Sequence, residues 1–234
     1  MKQEKFFKKE GDNWYKRNRE AMHELYANVY PNADPDVAVR TIEMYGLKPK
    51  KVLEVGASNG YRLALIADKF GSKCIGIDPS TAAVKDGNKN FPKIKMFRGV
   101  ASDIPLKEKF DLVIVNLVLG WVSREELFKA VTEIDRMVAD GGHLIIGDFL
   151  PDYPMRVLYH HKPDAGIYTY KLDYAEIFTS TATYRSIARL THEHAINKFT
   201  SNVPMEHRCV TSLLKKSLND FYSSTAHIPR ADLP

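Results

Sequence analysis

The sequence predicts an α/β fold: a Rossmann-like, doubly wound, seven-stranded and mostly parallel sheet with an antiparallel C-terminal strand pair and a helical N-terminal arm. Three observations carry this expectation. From Lys51 onward, short apolar runs alternate with segments of helical period, which calls for right-handed crossovers and a parallel sheet covered on both faces. The first run, Lys51 to Glu54, breaks at Gly56 and Gly60 before a helix begins, and such a strand, turn and helix form a ligand crevice at the sheet's carboxyl edge. Two alternating runs, Tyr184 to Ala195 and Arg208 to Lys216, then close the sheet as an antiparallel pair.

Taken in order, residues 1–30 repeat Phe6, Phe7, Trp14, Tyr15, Met22, Leu25, Tyr26 and Val29 at helical intervals among charges, an amphipathic arm with an apolar stripe to bury. Pro31 and Pro35 break it, and Asp34-Pro35-Asp36 opens a helix through Val37, Val39, Ile42 and Tyr45 that Gly46 and Pro49 stop. Strands follow at 51–55, 73–77, 94–98, 110–116 and 143–149, with helices near 60–70, 80–90 and 123–139 and a Gly141-Gly142 turn before the last strand. Residues 150–172 hold three prolines, His160-His161 and several tyrosines without clear period, which reads as a long loop or cap insertion. Asp173 caps a helix to about Thr179, and the tail from Tyr222 reads as frayed. The expected organisation is an arm or lid over 1–48 and a ligand-binding domain over 49–234 with the cap near 150–172.

A chain of 234 residues, 44% hydrophobic and 27% charged, can bury one sizeable core. No run of about 18 apolar residues appears and the first twenty residues are polar, so a cytoplasmic protein with no membrane segment is expected. Cys74 and Cys209 lack metal or redox spacing. The net charge is +5, and residues 1–20 hold seven Lys/Arg against four Asp/Glu. This bias can attract an anionic partner, although no basic stripe interleaved with aromatics extends beyond the arm, which disfavours nucleic acid. Oligomeric state is not legible.

Glu54 ends the first strand and Asp78 ends the run Cys74-Ile-Gly-Ile-Asp78, about 20 residues on, the distance at which an acid meets ribose hydroxyls. A dinucleotide fingerprint would need glycine at Ser58 and Tyr61, and the phosphate-loop pattern G-x-x-x-x-G-K-[ST] is absent from this turn. The stretch Glu54-Val-Gly56-Ala-Ser58-Asn-Gly60 instead resembles motif I of class I S-adenosylmethionine-dependent methyltransferases, with Ser58 in place of the middle glycine. Further pieces continue the resemblance in order. Asp78, followed by Pro79, resembles the acid that holds ribose. Ser102-Asp103-Ile104, before Pro105, resembles the segment that binds the adenine edge through an acidic side chain and an amide. Phe110 to Asn116 resembles strand four, and Gly141 to Gly147 resembles the turn into strand five. The resemblance implies S-adenosyl-L-methionine as cofactor, held by Glu54, Gly56, Ser58, Gly60, Asp78, Pro79, Ser102, Asp103, Ile104 and Asn116. Residues Glu10 to Asn18 resemble lid segments of methyltransferases from surface-carbohydrate biosynthesis clusters, which implies that Trp14, Tyr15, Arg17 and Asn18 close over the cofactor.

On the acceptor side, Asn116 and Leu117 to Trp121 follow strand four, and Asp148 and Asp152 follow strand five. His160, His161 and Asp148 are candidate catalytic groups, a histidine serving as general base for a hydroxyl proton. Tyr159, Tyr168, Tyr170 and Tyr174, with Lys162 and Lys171, suit a polar or phosphorylated small molecule, or pack a cap. His192 and His194 share a strand face without a convincing third ligand, so no metal is expected. The expected activity is O-methylation of a sugar, nucleotide-linked sugar or phosphorylated metabolite. The alternatives are RNA methylation and a non-catalytic methyltransferase-like binding protein.

Overall fold

A computed structural model describes residues 2–29, 36–194 and 199–222. Its elements are α1 (Lys2–Val29), α2 (Val37–Met44), β1 (Lys51–Val55), α3 (Tyr61–Phe70), β2 (Lys73–Asp78), α4 (Thr81–Asn90), β3 (Ile94–Arg98) and β4 (Phe110–Asn116). There follow α5 (Leu127–Met137), β5 (Val138–Phe149), β6 (Met155–Leu158), β7 (Tyr168–Lys171), α6 (Ala175–Thr179), β8 (Tyr184–Glu193) and β9 (Arg208–Lys216). The seven-stranded sheet runs β3-β2-β1-β4-β5-β9-β8. Strands β1 to β5 pair in parallel, and β9 runs antiparallel to both neighbours. The predicted fold class is therefore the observed one.

Alternation along the central strands supplies a core on each face. Leu53, Val55, Val113 and Val115 join Ile134 of α5 and Phe178 of α6 on one side. Val52, Leu112 and Ile114 join Ile42 of α2 and Leu63 and Ile66 of α3 on the other. After β1 the chain builds outward to β2 and β3, then returns to place β4 on the opposite side of β1. That reversal is the switch point beside which loops leave a crevice at the strands' carboxyl ends.

Helix α1 lies against α3 and α4. Tyr15, 2% exposed, donates its hydroxyl to Asp86 of α4 at 2.7 Å, and Arg19 reaches the same carboxylate at 2.7 Å. Asp36 caps α2 by accepting from the Ala38 amide. Pro31, Asp34, Pro35, Ala195 and the tail beyond Tyr222 lie outside the described residues, and the side chains of Phe7 and Val29 are likewise not described. Among the described residues no helix is long and apolar enough to cross a membrane.

Three elements differ from expectation. Residues 150–172 are not irregular throughout, because β6 and β7 form an antiparallel hairpin. Its strands lie partly or wholly open to solvent, so no apolar alternation marked them. Helix α5 begins at Leu127, since Ser123 to Glu126 close a turn in which the Glu126 amide donates to the Ser123 carbonyl at 3.0 Å. Strand β5 begins at Val138, which pairs with Phe110 before a register shift.

Gly87 on α4 faces the glycine turn, and a Cβ there would stand 2.3 Å from the Asn59 carbonyl oxygen. Gly→Ala in an open helix stabilises by about 1 kcal/mol. Here a backbone clash reverses that sign, and Gly87→Ala is expected to lower unfolding free energy by about 1–3 kcal/mol in urea titration.

Candidate active site

The turn after β1 keeps its shape through backbone that few residues adopt. Gly56, Ser58 and Gly60 have φ of 76°, 52° and 79°, the left-handed region that glycine enters freely and serine does not. Asp78, at the end of β2, secures the turn. Its two carboxylate oxygens accept from the Ser58 and Ser80 amides, each at 2.8 Å. Burial pushes this carboxyl up to about 7, against those two amides that pull it down. Asp12 of α1 accepts from the Ser80 hydroxyl at 2.7 Å and the Ala82 amide at 3.0 Å, so the arm ties down the same loop.

Behind the turn, Arg62 in the first turn of α3 is 7% exposed and ion-paired with Glu54 and with Asp36 at 2.8 Å. Glu54 therefore anchors the helix that leaves the turn. Its second oxygen, Oε2, is buried without a hydrogen-bond partner among the described residues. Burial, followed by Asp36 and Asp78, drives the Glu54 carboxyl up to about 7 although Arg62 opposes the rise. For Asp36 burial is again the largest influence, yet Arg62 and the cap amides outweigh it and hold that carboxyl below its ordinary value. Tyr61, the residue that argued against dinucleotide packing, is buried and donates to Asp36 at 3.3 Å.

A cleft opens at the switch point, lined by Val55, Gly56, Pro79, Val100, Ser102 and Trp121, with Gly99, Ala101, Val118, Val122, Ser123 and Glu126 completing it. The structure thus brings Gly56, Pro79 and Ser102 together and sets Ser58 and Asp78 at the same turn. Asp103 is exposed, and the Ile104 amide is taken by Glu133 Oε2 at 3.1 Å. Leu117, with φ of 57°, turns the chain out of β4 and lays Val118 on Gly56, where a Cβ would come 2.3 Å from Val118 Cγ2. Asn116 fills the space above Gly147, whose absent Cβ would sit 2.3 Å from its Oδ1.

Asp148 is 6% exposed and accepts from the Gly120 amide at 3.2 Å and from its neighbour Phe149 at 2.8 Å. Burial pushes its carboxyl up to about 7, moderated by those amides and by Lys171 and Arg124. Arg124 lies over the Tyr170 ring at 4.1 Å and donates to the Tyr174 hydroxyl at 3.2 Å.

His160 and His161 are exposed, their rings 3.9 Å apart. Tyr159 separates them from the cleft, its ring 5.4 Å from His161 on one side and 5.3 Å from Trp121 on the other. The Tyr159 hydroxyl donates to Glu10 at 2.9 Å, and Arg17 donates to Glu10 at 2.6 Å and to Tyr159 at 2.9 Å. Lys162 reaches Glu10 at 3.2 Å. Burial acts against ionised Glu10, but Arg17, Asn13, Tyr159 and Lys162 together hold it down at about 2. The Asn18 amide donates back to the Trp14 carbonyl, and Trp14 is half-buried. His192 bonds within β8 and β9, to Thr211 at 3.3 Å, and no cluster of three or more His, Cys, Asp or Glu able to hold a metal occurs among the described residues.

Sequence reasoning missed Glu10, Asp12, Arg62, Ser123 and Glu126. Arg62 could have been found, since a charge at the start of an otherwise apolar helix behind a turn needs a buried counter-charge.

Residues 53–146, which span the turn, the cleft and β5, match a family model described as a methyltransferase domain. The match covers the part of the chain that builds the glycine turn and the cleft wall. The chain is 28% identical over 144 residues to malonyl-[acyl-carrier protein] O-methyltransferase 1 of Coxiella burnetii, covering 60% of this chain and 49% of that protein. It is 26% identical over 116 residues to the ubiquinone/menaquinone biosynthesis C-methyltransferase UbiE of Campylobacter jejuni, covering 47% and 49%. The chain spans about half the length of these curated relatives. Among solved structures, 1,6-didemethyltoxoflavin-N1-methyltransferase of Burkholderia thailandensis, with S-adenosylhomocysteine bound, has the same fold with a TM-score of 0.65, 13% identity and coverage of 90% and 87%.

Replacing Arg62 leaves two buried carboxylates without their counter-charge. Arg62→Met is expected to cost about 3–5 kcal/mol near neutral pH. Glu54 titrates higher in the folded chain than unfolded, so its folded state loses stability as pH rises from the unfolded carboxylate range toward 7. The deficit of Arg62→Met should therefore shrink toward pH 4, as read by denaturant unfolding across that window.

Proposed function

We propose that the chain is an S-adenosylmethionine-dependent methyltransferase acting on a small polar acceptor by O-methylation, with a sugar, nucleotide-linked sugar or phosphorylated metabolite as the acceptor class. The observation that carries the cofactor reading is Asp78: a half-buried carboxylate at the glycine turn beside the cleft, with both oxygens oriented by backbone amides. The cleft fits an S-adenosyl group on its own terms. Its turn presents small residues, and Ser58 and Ser123 each hold a buried hydroxyl oxygen without a hydrogen-bond partner among the described residues.

When bound, the cofactor supplies a methyl on a sulfonium, an electrophile that passes in line to a nucleophile. The protein's part is to bind, orient and exclude water. Asp78 accepts from the ribose hydroxyls. Gly56 and Ser58 admit the amino acid portion, and Val118 and Trp121 cover it from the β4 side. The carboxylates of Asp36, Glu54 and Asp78 stand behind the turn against the single guanidinium of Arg62, a surplus of negative charge that favours a cationic ligand.

For the acceptor, we assign Asp148 to hold the hydroxyl proton, a reading supported by a carboxyl pushed up to about 7, which is half ionised at neutral pH. The Arg124, Tyr170 and Tyr174 group flanks it and supports a polar, anionic acceptor. His160 and His161 stand behind Tyr159 and contribute to the cap. The arm acts as a lid through Glu10, Arg17 and Tyr159, with Trp14, Tyr15 and Asn18 building the helix that carries them.

Calorimetry with S-adenosylmethionine on the full chain tests the cofactor reading, and absence of binding would sink it. Asp78→Asn should weaken affinity by about tenfold or more through lost hydrogen bonds to the ribose. Because the carboxylate must be ionised to accept both hydroxyls, affinity should rise with pH through about 7 in the unsubstituted protein, a step that Asp78→Asn abolishes. For the chemistry, a panel of nucleotide sugars and phosphorylated metabolites is assayed for S-adenosylhomocysteine formation. Asp148→Asn should lower turnover by about 10²-fold or more with cofactor affinity kept, whereas His160→Ala should leave turnover within a few-fold.

A further inference from the structure

We infer that Ser123 and Glu126, in the turn before α5, read the base edge of the bound nucleoside, in place of the Asp103 carboxylate and the Ile104 amide. The inference rests on the reading of the cleft as an S-adenosyl site. Asp103 is exposed, and Ile104 spends its amide on Glu133 at 3.1 Å. Arg136 closes the same loop from outside, donating to the Ile104 carbonyl at 3.1 Å and the Leu106 carbonyl at 2.7 Å while bonding Glu133 at 2.7 Å. That loop is braced by α5 and has no amide to offer at Ile104.

Across the cleft the situation is reversed. Ser123 is 8% exposed, lines the cleft, and buries a hydroxyl oxygen with no hydrogen-bond partner among the described residues. An unpaired buried hydroxyl is costly and is relieved by a ligand atom that bonds it. Glu126 lines the same wall with its carboxylate 28% exposed, and its ion contact to Lys129 is a long 3.9 Å. The Glu126 amide bonded to the Ser123 carbonyl at 3.0 Å holds both side chains in one turn.

The two groups are complementary to adenine. A hydroxyl donates to a ring nitrogen, and an ionised carboxylate, which only accepts, takes the adjacent exocyclic amino group. A 6-oxo base turns an acceptor oxygen toward that carboxylate, while its N1–H still donates to the Ser123 hydroxyl, so the discrimination falls on Glu126.

The test is calorimetry of the full chain with S-adenosylhomocysteine and with its 6-oxo counterpart, S-inosylhomocysteine. The unsubstituted protein is expected to prefer the adenine ligand by about tenfold or more. Glu126→Gln should bring that ratio close to one, since the amide can donate to the 6-oxo group. Ser123→Ala should weaken S-adenosylhomocysteine binding several-fold. A Glu126→Gln protein that binds S-adenosylhomocysteine with the original preference overturns the assignment of Glu126 while leaving the cofactor reading intact. Unchanged affinity in Ser123→Ala does the same for Ser123. If the unsubstituted protein binds neither ligand, both readings fall together.

Discussion

One buried guanidinium governs the open end of the sheet. Arg62 stands in the first turn of α3 and joins Glu54 at the end of β1 to Asp36 at the cap of α2. Removing three charges from water is expensive, and the geometry offsets this by pairing Arg62 with Asp36 through two nitrogens, at 2.8 and 2.9 Å. The result locks strand, turn and helix in one register, so the left-handed backbone at Gly56, Ser58 and Gly60 is held by contacts on both sides. Asp78 completes the arrangement from β2 through the Ser58 amide.

A second buried carboxylate performs the corresponding task farther out. Glu10 of the arm collects Arg17, Tyr159 and Lys162, and Tyr159 in turn packs edge-on against Trp121 of the cleft wall. The arm, the connection between β6 and β7 and, through Tyr159, the loop after β4 thus meet at one ionised side chain. Asp12, two residues from Glu10, holds the start of α4. A rigid α/β scaffold carries the turn, and long connections supply the walls around it.

Much of this was readable in advance because it is written in local pattern. The β-strands from 51 to 116 match their expected bounds within a residue, as their apolar runs end at glycine, acid or, at Asn116, an amide. The hairpin at 155–158 and 168–171 escaped notice because both of its faces stay partly open, leaving no alternation to detect. The turn expected at Gly141-Gly142 before a strand at 143 is replaced for a different reason: β5 starts at Val138 and continues through a left-handed glycine, φ 74°, by shifting register against β4.

The sequence alone determined the fold class, the place of the turn and the acid at Asp78, because strand and helix periods and glycine conformations are properties of neighbouring residues. Only the tertiary structure decided which acids pair with which bases. Glu10 and Tyr159 lie 149 residues apart, and Tyr15 and Asp86 lie 71 apart. It also decided that Ile104 is bonded to Glu133 and that Ser123 faces the cleft. Hydrogen-bond partnership depends on distance and direction within about 3 Å, and those are set by packing rather than by spacing along the chain.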